Sequence, residues 1–358
     1  MLLNYINVPN KVADKEIKEL YVKGEFEKAR SYLNNQVVIC NYITRALAKC
    51  GDKALKRLIK IIYEDKWGCL TEFFVAVALR RMADDAADLV LGIALNKNGR
   101  MSVRKRALRV LSVIGNSSVA QKLTTMLEKI SKGSQKPDSL VENQKKWEKV
   151  QREFEKASVQ DLPYNTSILS TLVFALGVLR CEAALPIITN LSEDNIDYNV
   201  YRSIRHIGSN KGVAFLRENI NRLFLLTKNC SQNKQDLDLL LYEMTEAFYA
   251  LTVVGEPNEA DLSIIKKLVL TQIGQGRDYA IANIVSCLGN IRNRHSTELL
   301  MEVLKVIKKE NSEFLSDAVA YSLSSVWKLS SLEIVKSLST AKLPEKERKI
   351  LQKACASI

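Results

Sequence analysis

The stretch "RALRVLSVIGNSSVAQKL", residues 106–123, decides the fold. Leu111 stands four places after Ala107 and three before Ile114, and those offsets put all three side chains on one face of a helix, because a turn takes about 3.6 residues. Gly115 then fits a C-terminal cap, and a second apolar run follows within a few residues. The stretch reads as a helical hairpin.

Working outward, the same pattern centres on Leu47, Leu79, Leu111, Leu176, Ile204, Leu251, Leu288 and Leu323. Four places before them stand Ile43, Val75, Ala107, Leu172, Val200, Ala247, Ile284 and Val319; three after stand Cys50, Met82, Ile114, Leu179, Ile207, Val254, Ile291 and Val326. All are apolar, so each set is one buried stripe. The residue just before the centre is small (Ala, Ser or Cys) except at Val110, which lets a neighbouring helix approach closely. Gly51, Gly115, Gly208 and Gly255, four places after their centres, fit helix caps with positive φ, whereas Arg180, Arg292 and Trp327 do not. Eleven places after the centre an apolar anchor for a second helix recurs as Leu58, Val90, Ile187, Phe215, Leu262, Leu299 and Ile334, with Lys122 breaking the series. Centres 28 to 47 residues apart, with one gap of 65, match the periods of two-helix repeats.

On these residues, and most closely in 106–123 and in "ALGVLRCEAALPII" at 175–188, the chain resembles the HEAT-repeat family over about residues 36–340. The resemblance implies an all-α protein: a right-handed α-solenoid of about eight helical hairpins with a concave binding surface. Residues 1–35 are expected to form N-terminal capping helices, 36–131 repeats one to three, 164–340 repeats four to eight, and 341–358 a C-terminal capping helix. Between them, 132–163 holds a polar loop and an inserted amphipathic helix, on which Leu140, Trp147, Val150, Phe154 and Ala157 make one apolar seam. That seam either packs back on the repeats or meets a partner, so Trp147 and Phe154 are candidate contact residues.

With 358 residues and only six Pro and fourteen Gly, few windows alternate with period two, and strands are expected to be almost absent. The seven cysteines are scattered without zinc spacing, and those on the stripes read as reduced core thiols, which suits a cytoplasmic protein. No apolar stretch reaches the ~20 residues of a membrane span.

The net charge of +13 is uneven: residues 97–149 hold thirteen Lys and Arg against four Asp and Glu. In "RMSVRKRALRV", the core-facing Val103, Ala107, Leu111 and Ile114 leave Lys105, Arg106 and Arg109 on the opposite, solvated side. Lys53, Lys56, Arg57 and Lys60 in the second helix of the first repeat, and Lys211, Arg217 and Arg222 near the fifth, lie where the resemblance puts the concave face. With Lys122 these are the candidate contacts for an acidic protein or for phosphates. Asp84, Asp85 and Asp88 interrupt any uniform positive track.

Catalytic chemistry is not visible. His206 and His295 are too few for a multi-histidine metal site, and "GNSSVAQK" at 115–122 has Ala120 where a phosphate loop needs its second glycine. The sequence therefore leads to a non-enzymatic scaffold or adaptor, without cofactor or metal, that holds a protein partner and has no membrane association. The alternatives are a nucleic-acid-binding solenoid, including a HEAT-like DNA glycosylase, and an inhibitor or immunity-type protein covering an acidic enzyme.

Overall fold

The computed structural model describes residues 42–329 apart from 65–68, 83, 97, 134–166, 192–195, 230–233, 292–293 and 307–312. The expected capping helices, the 132–163 insertion with Trp147 and Phe154, and the anchor Ile334 lie outside the described residues, except that the helix before the insertion runs on through Gly133. Among the described residues there are helices and no strand.

The chain divides into two compact units, Met1–Asn195 and Ile196–Ile358. In the first unit the helices are α1 (42–49), α2 (Asp52–Tyr63), α3 (Cys69–Arg80), α4 (Asp84–Leu95), α5 (Met101–Ile114), α6 (Ser117–Gly133), α7 (Ile168–Val178) and α8 (Leu185–Thr189). The second unit holds α9 (Tyr198–Ile207), α10 (Val213–Asn229), α11 (Lys234–Val254), α12 (Glu259–Gln272), α13 (Asp278–Leu288), α14 (Arg294–Val306) and α15 (Glu313–Leu329). Odd-numbered helices are the first of each hairpin and even-numbered ones the second.

Within each unit the helices pack in two rows. First helices touch the next first helix, α3 on α5 and α5 on α7, then α9 on α11, α11 on α13 and α13 on α15. Second helices do the same: α4 on α6 and α6 on α8, then α10 on α12 and α12 on α14. The repeat pattern explains why. All eight central residues are buried, seven of them completely, and of the residues four places earlier only Ile43 is partly exposed, with Thr44 buried beside it. The small residue before the centre does what its size predicts at Ser322, which is fully buried and donates its hydroxyl to the Val285 carbonyl at 3.0 Å. There α13 and α15 approach so closely that a Cβ added to Gly289 would lie 2.9 Å from the Ser322 Cα.

The structure corrects three local expectations. Gly51 and Gly208 have positive φ, but Gly115 at −63° does not, and neither does Gly255; a Cβ on Gly255 would instead stand 2.7 Å from Val213 Cγ2. Arg180, expected not to cap, adopts the left-handed conformation with φ 53°. Its N–H donates to the Gly177 carbonyl at 2.8 Å while Cys181 N–H reaches the Leu176 carbonyl at 3.0 Å, the paired bonds of a Schellman cap with arginine where glycine is usual. Cys50 is exposed, so of the two stripe cysteines only Cys287 is in the core, where burial pushes its thiol up to about 12.

The break at Lys122 is a shift of register. Lys122 is exposed and Leu123 fills the anchor position; in the next two repeats Ile188 and Leu216 are likewise buried while Ile187 and Phe215 are partly exposed. In these repeats the helical turn after the hairpin begins six residues past the centre, at Ser117, Glu182 and Asn210, rather than five, as at Asp52 and Asp84. In these three repeats the anchor lies one residue later; in the sixth and seventh, where the second helix starts at Glu259 and Arg294, Leu262 and Leu299 keep the predicted position.

Candidate protein-binding face

Within each unit, polar side chains link neighbouring repeats at sequence separations of about one period. Arg81 reaches Thr44 Oγ1, Lys122 Nζ lies 3.0 Å from Asp88 Oδ1, Lys266 Nζ 2.7 Å from Glu302 and Arg277 Nε 3.1 Å from Asp238 Oδ1. Several of the basic candidates are used this way. Arg106 is the clearest correction: it is not on the solvated side but buried, with Nη1 donating to the Ile62 carbonyl at 2.6 Å. Arg100 donates to the Tyr63 carbonyl at 2.7 Å and Arg104 to the Ala94 carbonyl at 3.1 Å. The cationic density of α5 and its approach thus caps the C-terminal carbonyls of α2 and α4, where a positive charge also suits the helix dipole.

The remaining candidates divide by environment. Lys105 is partly buried, and desolvation together with the neighbouring Arg109, itself partly exposed, pushes its ammonium below the ordinary lysine range. Arg217 donates Nε to Asp261 Oδ2 at 3.0 Å and Nη2 to the Glu256 carbonyl. That Asp261 carboxylate also closes the Asn258 capping box of α12, so Arg217 fastens a helix start. Arg222 rests on Asn219 Oδ1 at 3.2 Å, above the buried Tyr201. Lys53, Lys56, Arg57, Lys60 and Lys211 are exposed.

The structure brings together a set that the sequence reading missed, on first helices of the second unit. Glu246 of α11, only 8% exposed, accepts from Arg202 Nε at 2.9 Å and Nη2 at 2.6 Å, and from Arg205 Nη1 at 3.1 Å. Arg202 Nη2 also donates to the Tyr242 hydroxyl at 2.6 Å and its guanidinium lies 5.1 Å from the Tyr198 ring centre. Arg205 sits over the Tyr249 ring at 4.3 Å, and Tyr198 meets Tyr242 edge to face at 5.5 Å. One buried carboxylate thereby fixes two arginines, which in turn fix three tyrosines.

Around this lattice the outward stripe of α11 reads Leu239, Tyr242, Glu246, Tyr249 and Val253, at spacings of three, four, three and four. All but Glu246 are exposed, and Tyr279 of α13 and Tyr321 of α15 add rings that are 66% and 65% exposed. Among the described residues, every large exposed aromatic except Tyr63 is on a first helix. A signal for this was present in the register: two places before the centres stand Arg45, Val77, Arg109, Phe174, Arg202, Tyr249, Ser286 and Tyr321, and none of the eight is buried.

No family model matches the chain, and no curated protein matches it. Among solved structures, it is similar to an engineered protein at 12% identity and TM-score 0.35, covering 88% of this chain and 83% of that one. It is also similar to human deoxyhypusine hydroxylase in complex with glycerol, at 14% identity and TM-score 0.27, covering 97% of both. Because that neighbour is an enzyme, the expectation of a chain without catalytic activity is withdrawn; at this TM-score the likeness assigns no activity either. Among the described residues, no group of His, Cys, Asp and Glu is arranged to hold a metal ion and no helix is long and apolar enough to cross a membrane.

Proposed function

We propose that the stacked hairpins of each unit form a right-handed α-solenoid of the HEAT type and that the chain is a scaffold or adaptor for a protein partner. The sequence reading looked for that partner on the second helices; the first-helix face of α9 and α11 is the better site. The observation that carries this is the exposed stripe Leu239, Tyr242, Tyr249 and Val253 set on the Arg202–Glu246–Arg205 lattice. Tyrosine and arginine supply much of the energy at protein interfaces, and side chains already held by a neighbour lose less entropy when a partner arrives. Apolar ends at Leu239 and Val253 suit the non-polar face of a partner helix laid along α11.

A photo-crosslinking residue at position 253, used in lysate of the source cells, tests the reading, with the same residue at Lys267 of α12 as the control position. A defined protein adduct is expected from 253 and not from 267, and it should disappear in a Leu239→Asp, Tyr249→Ala variant whose melting temperature is unchanged. Adducts that are equal at both positions, or that survive the variant, overturn it.

A further inference from the structure

A second surface, in the first unit, has the opposite character. Along α2 the exposed residues are Asp52, Lys53, Lys56, Arg57, Lys60 and Tyr63, while Ala54, Leu58, Ile61 and Ile62 are buried against the unit. Lys53, Lys56, Lys60 and Tyr63 follow spacings of three, four and three, with Arg57 beside them, so four cations form one strip about 10 Å long. Beyond the last turn the strip continues in Arg100, exposed and held to the Tyr63 carbonyl at 2.7 Å. Among the described residues no carboxylate forms an ion pair with Lys53, Lys56, Arg57 or Lys60. This is the contrast with Lys122, Arg217 and Arg277, each of which has an acidic neighbour from an adjacent repeat.

We infer that this face of α2 is a site for the phosphate backbone of a nucleic acid, independent of the protein-binding face on α11. Two features select phosphate over an acidic protein. Apart from Tyr63 the apolar residues of α2 are buried or, at Leu55 and Ile59, only partly exposed between the cations, so the surface has few of the large apolar anchors from which protein interfaces draw their energy. Its cations are instead presented on a rigid helix at intervals of one turn or less, which suits a polymer carrying one negative charge per ~1.7 Å of duplex axis. Phosphate contacts of this kind fix position without reading sequence, and Tyr63 at the end of the strip offers one ring on which a base can stack.

The test is fluorescence anisotropy of the full chain with a labelled duplex of arbitrary sequence, titrated from about 20 to 200 mM salt, beside sodium polyglutamate as competitor. Binding is expected to weaken with a log–log slope of about −3.6, the value for four phosphates neutralised. Lys53→Glu, Lys56→Glu, Arg57→Glu, Lys60→Glu should weaken binding more than tenfold at the lowest salt and flatten the slope. If that variant melts early, Lys56→Gln, Lys60→Gln should still reduce the slope by about 1.8. No binding at the lowest salt, a slope that the variants leave unchanged, or polyglutamate outcompeting the duplex at equal charge concentration overturns the inference; the last outcome makes α2 an acidic-protein surface. Loss of the crosslink from position 253 has no bearing on these readings, so the two proposals stand or fall separately.

Discussion

Arg106 shows how a charged residue with an exposed helical-wheel position becomes structural. A helix in a stack is covered by its hairpin partner and, on both flanks, by the preceding and following repeats, which leaves a solvated strip much narrower than half the helix. Arg106 stands on the flank toward the earlier repeats, and its guanidinium reaches the Ile62 carbonyl at the end of the first repeat's second helix. Replacing it by Met keeps the stem and leaves a buried carbonyl at the end of α2 unpaired, which should cost about 2 kcal/mol, read as a lower denaturation midpoint at constant m-value. Arg180 is the reverse case. Its φ of 53° is unfavourable for a residue with a Cβ, and the exposed side chain makes no ion pair among the described residues. Arg180→Gly should therefore stabilise the first unit by about 1 kcal/mol, net of the extra freedom glycine brings to the unfolded chain. A thermal melt measures this directly, and Arg180→Asn should fall between the two. The stripe residues, by contrast, were legible in the sequence because burial of a repeated apolar set depends only on spacing. Arg106 and Arg180 were not, since their roles depend on what another repeat or a local backbone turn presents to them.

At the scale of the helix, α11 carries two faces whose chemistry differs. Its outward stripe supports the arginine–tyrosine lattice; its other side meets Tyr201, Asn219 and Arg222, where Glu243 is held in a poor solvent. Burial, aided by the charge of Asp197 and opposed by Arg222, pushes the Glu243 carboxyl up to about 7. The sign follows from linkage. A carboxyl with a higher pKa folded than unfolded stabilises the fold while protonated, so its contribution is complete below about pH 4.5 and is lost as the pH rises to about 7. Above that, the ionised group costs the fold on the order of 3 kcal/mol. Glu243→Gln should accordingly raise the melting temperature at pH 8, leave it nearly unchanged at pH 4.5, and flatten the difference profile between those limits. An equal gain at all pH values would mean that packing, not ionisation, governs the site. Such elements also mark where the reading by register failed: Leu123 takes the place assigned to Lys122 on a second helix that begins at Ser117, and which of two adjacent residues turns inward depends on how that helix is rotated against its neighbours.

For the whole molecule, the polar links define how far a perturbation travels. Most join adjacent repeats, as in Arg202 with Glu246 and Arg217 with Asp261, while Arg106 on the first helix of the third repeat reaches back to Ile62 on the second helix of the first. A stack held by contacts between adjacent repeats has a stability close to a sum of repeat and nearest-neighbour terms. Mutational effects should then couple between neighbouring repeats and add between distant ones. In a double-mutant cycle, Arg202→Met with Glu246→Gln should show a coupling energy of 1 kcal/mol or more, roughly, because either change alone strands a partly buried charge. Arg106→Met with Arg217→Met, which share no partner and belong to different units, should be additive within about 0.5 kcal/mol. Chemical denaturation of the four proteins in each cycle provides the measurement. Strong coupling in the second cycle would contradict a stack held by local contacts, because these two arginines share neither a partner nor a unit.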